Sequence, residues 1–307
     1  MESSNKGQLR GSLLLLITAI IWGSAFVAQS TGMDFVDPFT FNFSRTVVGV
    51  AALLIAIPIL DKLGLSSAPK SKDEWKKLWT SGILCGVIMF GASASQQIGI
   101  VETSPGKAGF ITALYIVIVP VLGIFMKKRV GILTWIAVVI AIVGMYLLCA
   151  DGEFKLGVGD SMVMLSALLF AFHIITVDKV ASAVDCVRLS CVQFFISAIL
   201  AGVCMLIFEE PAVGAVWNAK FSILYAGVMS TGVAYTMQII GQSSVEPTIA
   251  SLIMSLESVF AALTGWLVLS DVMTNKEISG CVLIFIAVII AQLKFENRKT
   301  DKKGLPS

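Results

Sequence analysis

The stretch QQIGIVETSPGKAGFITALYIVIVPVLG, residues 96–123, decides the fold, because its pattern returns without a gap 142 positions later. The second copy, QIIGQSSVEPTIASLIMSLESVFAALTG, occupies residues 238–265. Nine of the 28 aligned positions are identical, including Pro105 and its counterpart Pro247. Each copy reads as the end of an apolar helix, a short turn closed by proline, and a second apolar helix. The chain is therefore predicted to be a doubled unit.

The composition indicates that most of this chain lies within a lipid bilayer. Hydrophobic residues make up 57% of the 307 residues, charged residues only 14%, and the mean hydropathy is +0.90. Soluble domains carry about 25% charged residues. Apolar runs that are each long enough to cross a bilayer as a helix recur to the end of the chain. We predict ten spans, at approximately 12–31, 38–60, 79–101, 106–126, 131–150, 159–180, 186–208, 218–242, 248–270 and 277–294.

The distribution of lysine and arginine predicts the orientation. With the N-terminus inside, 17 of the 22 basic residues fall on inner segments, four (Lys107, Lys155, Lys220 and Lys276) fall on outer loops, and Arg45 lies within a span. This bias predicts that both termini are cytoplasmic. Because five spans per half is an odd number, the second half must enter the membrane from the opposite side. We therefore expect an all-α membrane protein of two inverted five-helix repeats, 1–150 and 151–294, followed by a basic cytoplasmic tail, 295–307.

Glu257 is the most costly polar residue of the predicted spans, because it falls midway along the ninth. A carboxyl group at this depth should face the protein interior, where it is either protonated or partnered. Its counterpart in the first repeat is Tyr115, whose hydroxyl carries no charge at neutral pH. Glu257 is therefore a candidate proton carrier or a partner for a cationic solute. Arg45 lies nearer the outer surface, so we predict that Arg45 and Glu257 are not ion-paired.

Five further residues are candidates for binding a solute, and each also has a structural reading. Trp22 lies near the middle of the first span and is either a cavity wall or a packing residue. Arg45 either binds an anionic group or ties helix ends together. His173, the single histidine, either acts in the site or bonds neighbouring helices. Gln96 and Gln238 occupy equivalent positions of the two repeats, near predicted helix ends.

Local signals set several helix boundaries. Asp37 followed by Pro38 predicts an N-cap and a first-turn proline for the second helix. Ser71 and Glu74 have the spacing of a capping box before the third helix. Pro120 is expected to kink the fourth span toward its inner end. The six cysteines form no C-x-x-C motif and predict neither a disulfide nor a metal site.

Three stretches resemble the drug/metabolite transporter superfamily, specifically its EamA-type branch. They are SPGKAGFITALYIVIVPVLG, GDSMVMLSALLFAFHIITVDK and the Phe43-Ser44-Arg45 turn. The resemblance covers about residues 10–294 and implies that spans 1, 3, 4, 6, 8 and 9 line a central cavity, with spans 5 and 10 peripheral. It matches Arg45, His173 and Glu257 to recurrent polar positions, whereas Ser258 replaces a proline that many relatives have. It also implies a bacterial inner membrane location and export.

Three function classes remain open. A secondary transporter of a small metabolite, such as an amino acid or related organic solute, is favoured by the inverted repeat and the mid-span polar residues. An importer of a nutrient or cationic solute, a channel and a non-transporting scaffold are alternatives. An intramembrane enzyme is not expected, since neither H-E-x-x-H nor G-x-S-x-G occurs.

The expected partners are the solute, the lipid bilayer and, if Glu257 titrates, protons. Neither nucleic acid nor a cofactor is expected, and the pattern leaves the oligomeric state open.

Overall fold

The computed structural model describes residues 2–103, 105–127, 130–149, 157–269 and 274–301, and the described part is helical with no strand. The α-helices run Glu2–Gly32 (α1), Pro38–Lys62 (α2), Lys72–Ile100 (α3), Pro105–Thr112 (α4), Tyr115–Phe125 (α5), Ile132–Cys149 (α6), Val158–Val180 (α7), Cys186–Phe208 (α8), Val213–Asn218 (α9), Lys220–Leu224 (α10), Tyr235–Gln242 (α11), Pro247–Met254 (α12), Glu257–Leu269 (α13) and Asn275–Asp301 (α14). Lys128, Arg129, Lys155 and the 302–307 part of the predicted tail lie outside the described residues.

These helices form the predicted membrane spans. Eight stretches of the described residues are long and apolar enough to cross a bilayer, and α6 contributes a shorter apolar helix. The fourth span consists of α4 and α5, the eighth of α10, a π-helix (Tyr225–Ala234) and α11, and the ninth of α12 and α13. With α6 and α14 as the fifth and tenth spans, the predicted all-α membrane architecture is confirmed.

Packing between helices repeats with the two halves exchanged. Helix α3 packs on α7, and the equivalent pair from the other halves, α11 and α1, also packs together. Helix α3 packs on α8, as the π-helix packs on α2. Two pairs, α2 with α8 and α6 with α14, join equivalent helices directly. Such reciprocal contacts are those of an inverted repeat related by a pseudo-two-fold axis.

Two glycine crossings illustrate this symmetry at residue level. A Cβ on Gly99 would lie 2.6 Å from the carbonyl oxygen of Gly159. At the equivalent crossing, a Cβ on Gly241 would lie 3.0 Å from the carbonyl oxygen of Gly11. Each crossing therefore requires a residue without a side chain, as small residues permit close helix contact in membranes. The Gly99 crossing lies at the end of the bundle that we call the outer end, and the Gly11 crossing lies at the inner end, following the charge-based prediction.

Two predicted helix caps differ in detail from the expectation. Asp37 occupies the N-cap position of α2, with Pro38 in the first turn, but its side chain accepts no capping hydrogen bond. The carboxylate of Glu209 takes that role from the end of α8, as described below. At α3, the Glu74 N–H donates to Ser71 Oγ over 3.2 Å, as predicted. The Glu74 carboxylate accepts from the N–H of Lys70, one residue before the cap.

Candidate functional site

The fourth and ninth spans are both interrupted, at equivalent positions. Helix α4 gives way to α5 at Ala113–Leu114, and α12 gives way to α13 at Ser255–Leu256, which is 142 residues later. At both interruptions backbone bonds reach three residues back instead of four, as in the bond from Ile116 N–H to Ala113 O over 3.0 Å and that from Ser258 N–H to Ser255 O over 3.2 Å. Discontinuous spans of this kind surround the solute sites of many transporters.

Pro120 does not mark the interruption of the fourth span. Helix α5 continues through this proline, and the break lies six residues earlier, at Leu114. The equivalent break in the ninth span has no proline at all. There Ser255 Oγ donates to Leu252 O over 2.8 Å, and Ser258 Oγ donates to Ser255 O over 2.8 Å. Such side-chain bonds compete with the helical ladder, which accounts for a break without proline.

Tyr115 and Glu257 are the first residues after the two breaks, and they contact each other. The hydroxyl of Tyr115 donates to Glu257 Oε1 over 2.9 Å. Both residues are almost inaccessible, with 2% and 3% of their surfaces exposed. Because the two positions are equivalent in the repeat, this hydrogen bond crosses the pseudo-two-fold axis. The Tyr115 hydroxyl therefore gives the carboxyl group of Glu257 a neutral hydrogen-bond partner.

Arg45 is also buried and is held by neutral groups. Its Nε donates to Asn42 Oδ1 over 2.8 Å, and its Nη1 donates to Gln29 Oε1 over 2.9 Å. Asn42 is in turn fixed by donating from Nδ2 to the carbonyl oxygen of Ser93 over 3.1 Å. The guanidinium carbon lies 5.9 Å from the ring centre of Phe41. Arg45 and Glu257 therefore have separate partners, as predicted from their depths.

A cavity of about 30 Å³ lies between these groups. Its walls come from the first, second, third, fourth, sixth, eighth and ninth spans: Trp22, Phe26, Gln29, Arg45, Gln96, Thr112, Tyr115, Phe170, Ile174, Ser230, Tyr235, Gln238 and Glu257. A cavity needs about 10–15 Å³ of such volume to hold one water molecule, so this cavity is too small for an organic solute. None of the described residues of the fifth and tenth spans lines it, which agrees with their implied peripheral position.

Six of the seven candidate residues line this central cavity, and His173 does not. His173 Nε2 lies 3.0 Å from Gln193 Oε1, and its ring meets the edge of Tyr235 at a centre distance of 6.5 Å. His173 therefore lies behind the cavity wall, where it joins the sixth and seventh spans. Gln96 donates from Nε2 to Thr112 Oγ1 over 3.0 Å.

Two residues that shape the site, Gln29 and Tyr235, were not predicted from the sequence. Gln29 follows Trp22 by seven residues, which places both on one face of α1. Tyr235 precedes Gln238 by three residues, again on one helical face, and its ring lies 4.6 Å from that of Trp22. Both residues lie at helical spacing from candidates that were already named, and this spacing could have identified them.

Several buried polar atoms around the cavity lack a partner within the described residues. They include Trp22 Nε1, a donor, and the acceptors Gln238 Oε1 and Gln97 Oε1. Gln97 does not line the cavity, but its Nε2 lies 3.4 Å from the carbonyl oxygen of Gln29, which does. Buried polar groups are normally satisfied, and each exception calls for water or a ligand. Donors and acceptors together would suit a polar solute.

Comparisons with known proteins define the family. The model of the EamA-like transporter family matches residues 9–150 and 157–292. This chain belongs to the EamA-like transporter family. An uncharacterized transporter of Archaeoglobus fulgidus is 29% identical over 293 residues, covering 94% of this chain and 87% of that protein. The uncharacterized transporter YoaV of Bacillus subtilis is 22% identical, with 93% and 97% covered. A solved structure described only as the crystal structure of a protein has a TM-score of 0.75 at 18% identity and shares the fold, covering 92% of this chain and 96% of its own.

An ion pair joins α4 to α7 at the outer end of this EamA-like transporter. Lys107 Nζ, in the first turn of α4, lies 2.6 Å from Asp160 Oδ2 at the start of α7. Thr103 Oγ1 also donates to Asp160, over 3.0 Å. At the inner end, the equivalents of Lys107 and Asp160 are Ile249 and Ser12, which cannot form an ion pair. The two ends of the transporter therefore differ chemically.

Helices α2 and α8 of the transporter are linked at both of their ends. At the inner end, Arg188 binds the carboxylate of Asp61 through two nitrogens, at 3.0 and 2.6 Å. At the outer end, the carboxylate of Glu209 accepts from the N–H groups of Phe39 and Thr40, both at 2.7 Å. Asp61 and Glu209 lie 148 positions apart, as do Thr40 and Arg188. Equivalent residues thus make both links.

No metal site is found among the described residues of the transporter, where no group of three or more His, Cys, Asp or Glu side chains could hold an ion. The cysteines whose side chains are described are free: Cys85, Cys186, Cys191, Cys204 and Cys281.

Proposed function

We propose that this transporter exports a small zwitterionic metabolite, such as an amino acid, by alternating access. The observation that supports this substrate class is that one basic and one acidic side chain line the same cavity. Arg45 and Glu257 both line the central cavity, and the hydrogen-bond partners of each are neutral. A buried charge without a counter-ion is costly. A solute that carries one charge of each sign would supply both counter-ions.

The remaining groups of the cavity fit the parts of such a solute. The planar guanidinium of Arg45 suits a carboxylate, which it can bind through two nitrogens. Glu257 suits an ammonium group. Trp22 and Tyr235, with their ring centres 4.6 Å apart, offer apolar surface to a side chain, and the free Nε1 of Trp22 offers a donor. A purely cationic solute is disfavoured because Arg45 would repel it.

Alternating access is supported by the architecture of the cavity. A space of about 30 Å³ must expand before an organic solute can enter. The breaks before Tyr115 and Glu257 divide two spans into half-helices that can move separately. Export is the direction that the family resemblance implies, so in this proposal the solute enters from the cytoplasm.

Glu257 is our candidate for coupling transport to protons. In this hypothesis the carboxyl group releases a proton when the solute binds and regains one when the cavity faces outward. In the state described here, Tyr115 donates to the carboxyl group. The equivalent position contributes no second titrating group at neutral pH, so one proton would move in each cycle.

Glu257→Gln tests the proposal in proteoliposomes that contain the full chain. This change keeps the size of the side chain and removes its titration. We first identify a solute by thermal-shift screening of amino acids, because a ligand of the native state raises the unfolding midpoint. Uphill flux driven by a proton gradient should then be lost in Glu257→Gln. Solute counterflow should persist at reduced affinity, because the amide oxygen can accept from the ammonium group but carries no charge. Loss of counterflow as well would show that binding of the ammonium group requires the charge of Glu257. Transport equal to that of the parent across pH 5.5–8.5, an assay range of roughly three units around neutrality, would eliminate Glu257 from the mechanism.

A further inference from the structure

A second, much larger cavity opens at the inner end of the bundle. This inner cleft has a volume of about 920 Å³ and lies between α2, the eighth span and the connections before α3 and α8. Pockets for drug-sized ligands measure about 300–1,000 Å³. The inner cleft, unlike the central cavity, is therefore large enough for an organic solute without any movement.

The walls of the inner cleft are mostly apolar, and three charged residues, Arg10, Glu74 and Asp185, also line it. Leu53, Leu60 and Met237 are among the apolar lining residues. Both acidic residues are engaged: Asp185 accepts from the hydroxyl of Ser66 over 3.0 Å, and Glu74 accepts from the N–H of Lys70 over 2.7 Å. Arg10, by contrast, is exposed and has no hydrogen-bond partner among the residues that the structure describes.

This arrangement defines the chemistry of a ligand. An apolar body can be buried against the walls, and a carboxylate can reach the guanidinium of Arg10. The carboxylates of Asp185 and Glu74 already accept hydrogen bonds from Ser66 and Lys70, so Arg10 is the lining charge that a ligand can pair with. A small organic carboxylate with an apolar side chain fits both parts of the inner cleft, and an apolar amino acid is a member of that class.

The inner cleft and the central cavity share one wall. Gly232, Val233 and Thr236 line the inner cleft, whereas Ser230 and Tyr235 line the central cavity. These five residues come from the π-helix and the first turn of α11. Successive residues of one span therefore face two different cavities. A π-helix within an α-helical span often marks a functional site, because its wider turn is easily rearranged.

We propose that the inner cleft is a separate binding site, in which an apolar amino acid binds before it reaches the central cavity. This inference rests on the proposed function, since it takes the transported solute as the ligand. The π-helix is then the partition that the solute must pass. The inner cleft can fill while the central cavity is still closed, because the two sites do not overlap.

Protection from labelling tests the site directly. Ala56→Cys, in a full-length background without other cysteines, places a thiol in the wall of the inner cleft. L-leucine is the probe, and a methanethiosulfonate reagent applied from the inner side is the label. Leucine at millimolar concentration should slow labelling about fivefold. It should not slow labelling in Lys179→Cys, at an exposed position of the inner end outside the inner cleft.

A blocking variant gives a second measurement. Ala56→Trp fills the inner cleft, whereas Ile55→Trp, one residue away and 68% exposed, is the matched control. The half-saturating concentration of leucine for transport should rise about tenfold in Ala56→Trp and stay unchanged in Ile55→Trp. Equal behaviour of the two variants would contradict the proposal.

These experiments distinguish failure of the inner site from failure of the proposed function. Protection at Ala56→Cys should persist when Glu257→Gln is added, since Glu257 lies outside the inner cleft. Absence of protection together with intact leucine counterflow would overturn the inner site alone. If native mass spectrometry finds a phospholipid that binds the parent but not Ala56→Trp, the occupant is lipid and the proposal is wrong. Parental transport by Glu257→Gln with protection retained would instead remove the central mechanism and leave the inner site.

Discussion

Arg188 holds Asp61 through two hydrogen bonds, of 3.0 and 2.6 Å, and so joins the first turn of α8 to the last turn of α2. Ser66 completes this inner link, because it accepts from Arg188 over 2.6 Å and donates to Asp185 over 3.0 Å. The equivalent outer link uses Glu209 and backbone N–H groups instead. Both links tie the same two helices, so we expect α2 and α8 to move as one unit during transport.

Removal of Arg188 should destabilise the transporter. Arg188→Ala removes two hydrogen bonds to the Asp61 carboxylate, although the partial exposure of Asp61 weakens this interaction. We expect the midpoint of thermal unfolding to fall by a few degrees, roughly 2–5 °C. Thermal unfolding in detergent measures the effect, with Lys179→Ala, at an exposed site, as the control. Equal midpoints for the two variants would show that the inner link contributes nothing.

Tyr115→Phe should impair transport without unfolding the protein. The change removes the hydroxyl that donates to Glu257 and leaves the ring in place. A buried acceptor left without its donor costs about 1–3 kcal/mol, so solute flux should fall about tenfold. Tyr146→Phe, at a half-exposed position of α6, is the matched control. In Glu257→Gln the second change should have a smaller effect, because the two residues act as a pair.

Exchanging the charges of Arg45 and Glu257 should not restore function. The two side chains have separate partners, and an acidic residue at position 45 would face Gln29 and Asn42 instead of Glu257. We therefore expect Arg45→Glu, Glu257→Arg and the double variant all to lose flux in proteoliposomes. Recovery of transport in the double variant alone would demonstrate a direct ion pair during the cycle.

Loss of the outer ion pair should favour opening at the outer end. Asp160 is buried and forms an ion pair with Lys107. The equivalent residues at the inner end, Ser12 and Ile249, cannot form such a pair. With Thr112→Cys as a reporter in the central cavity, Lys107→Ala should speed labelling from outside about tenfold. Lys220→Ala, on the same side but beside Trp217 and Phe221, is the control. Unchanged labelling in Lys107→Ala would rule out this gating role.

Impermeant thiol labelling checks the orientation. In a cysteine-free background, cysteines at positions 153 and 274 should react from outside, and those at 66 and 301 should not. Position 153 lies outside the described residues, whereas Ser66 belongs to the inner link and Thr274 precedes α14. The opposite pattern would reverse the predicted orientation. Labelling of 153 and 274 from different sides would contradict the ten-span arrangement.

Much of the fold could be predicted because lipid imposes simple rules. Apolar runs of sufficient length must be helices, and prolines at 38 and 247 mark helix starts that the structure shares. The breaks at 113–114 and 255–256 and the π-helix were not predicted. Regular and irregular helical turns differ in which carbonyl oxygen each N–H reaches, and apolar residues carry almost no signal about that choice.

Part of the candidate site could be anticipated for a similar reason. Polar residues within apolar spans are costly in lipid, so they tend to meet in the interior. Trp22, Arg45 and Glu257 do so. His173 was harder to assign, because a polar residue between two packed helices and one in a cavity wall look alike in sequence. Their binding roles stay predictions.

The contact of Tyr115 with Glu257 has a consequence for how such a protein arises. In an antiparallel homodimer of identical five-helix subunits, a residue on the two-fold axis meets only its own copy. That dimer could place two tyrosines or two carboxyl groups there, and two adjacent carboxylates repel. A donor facing an acceptor becomes available only when the two halves differ in sequence, as they do in this duplicated chain. Divergence of the two halves is thus a requirement for a single acidic group at the centre of the molecule.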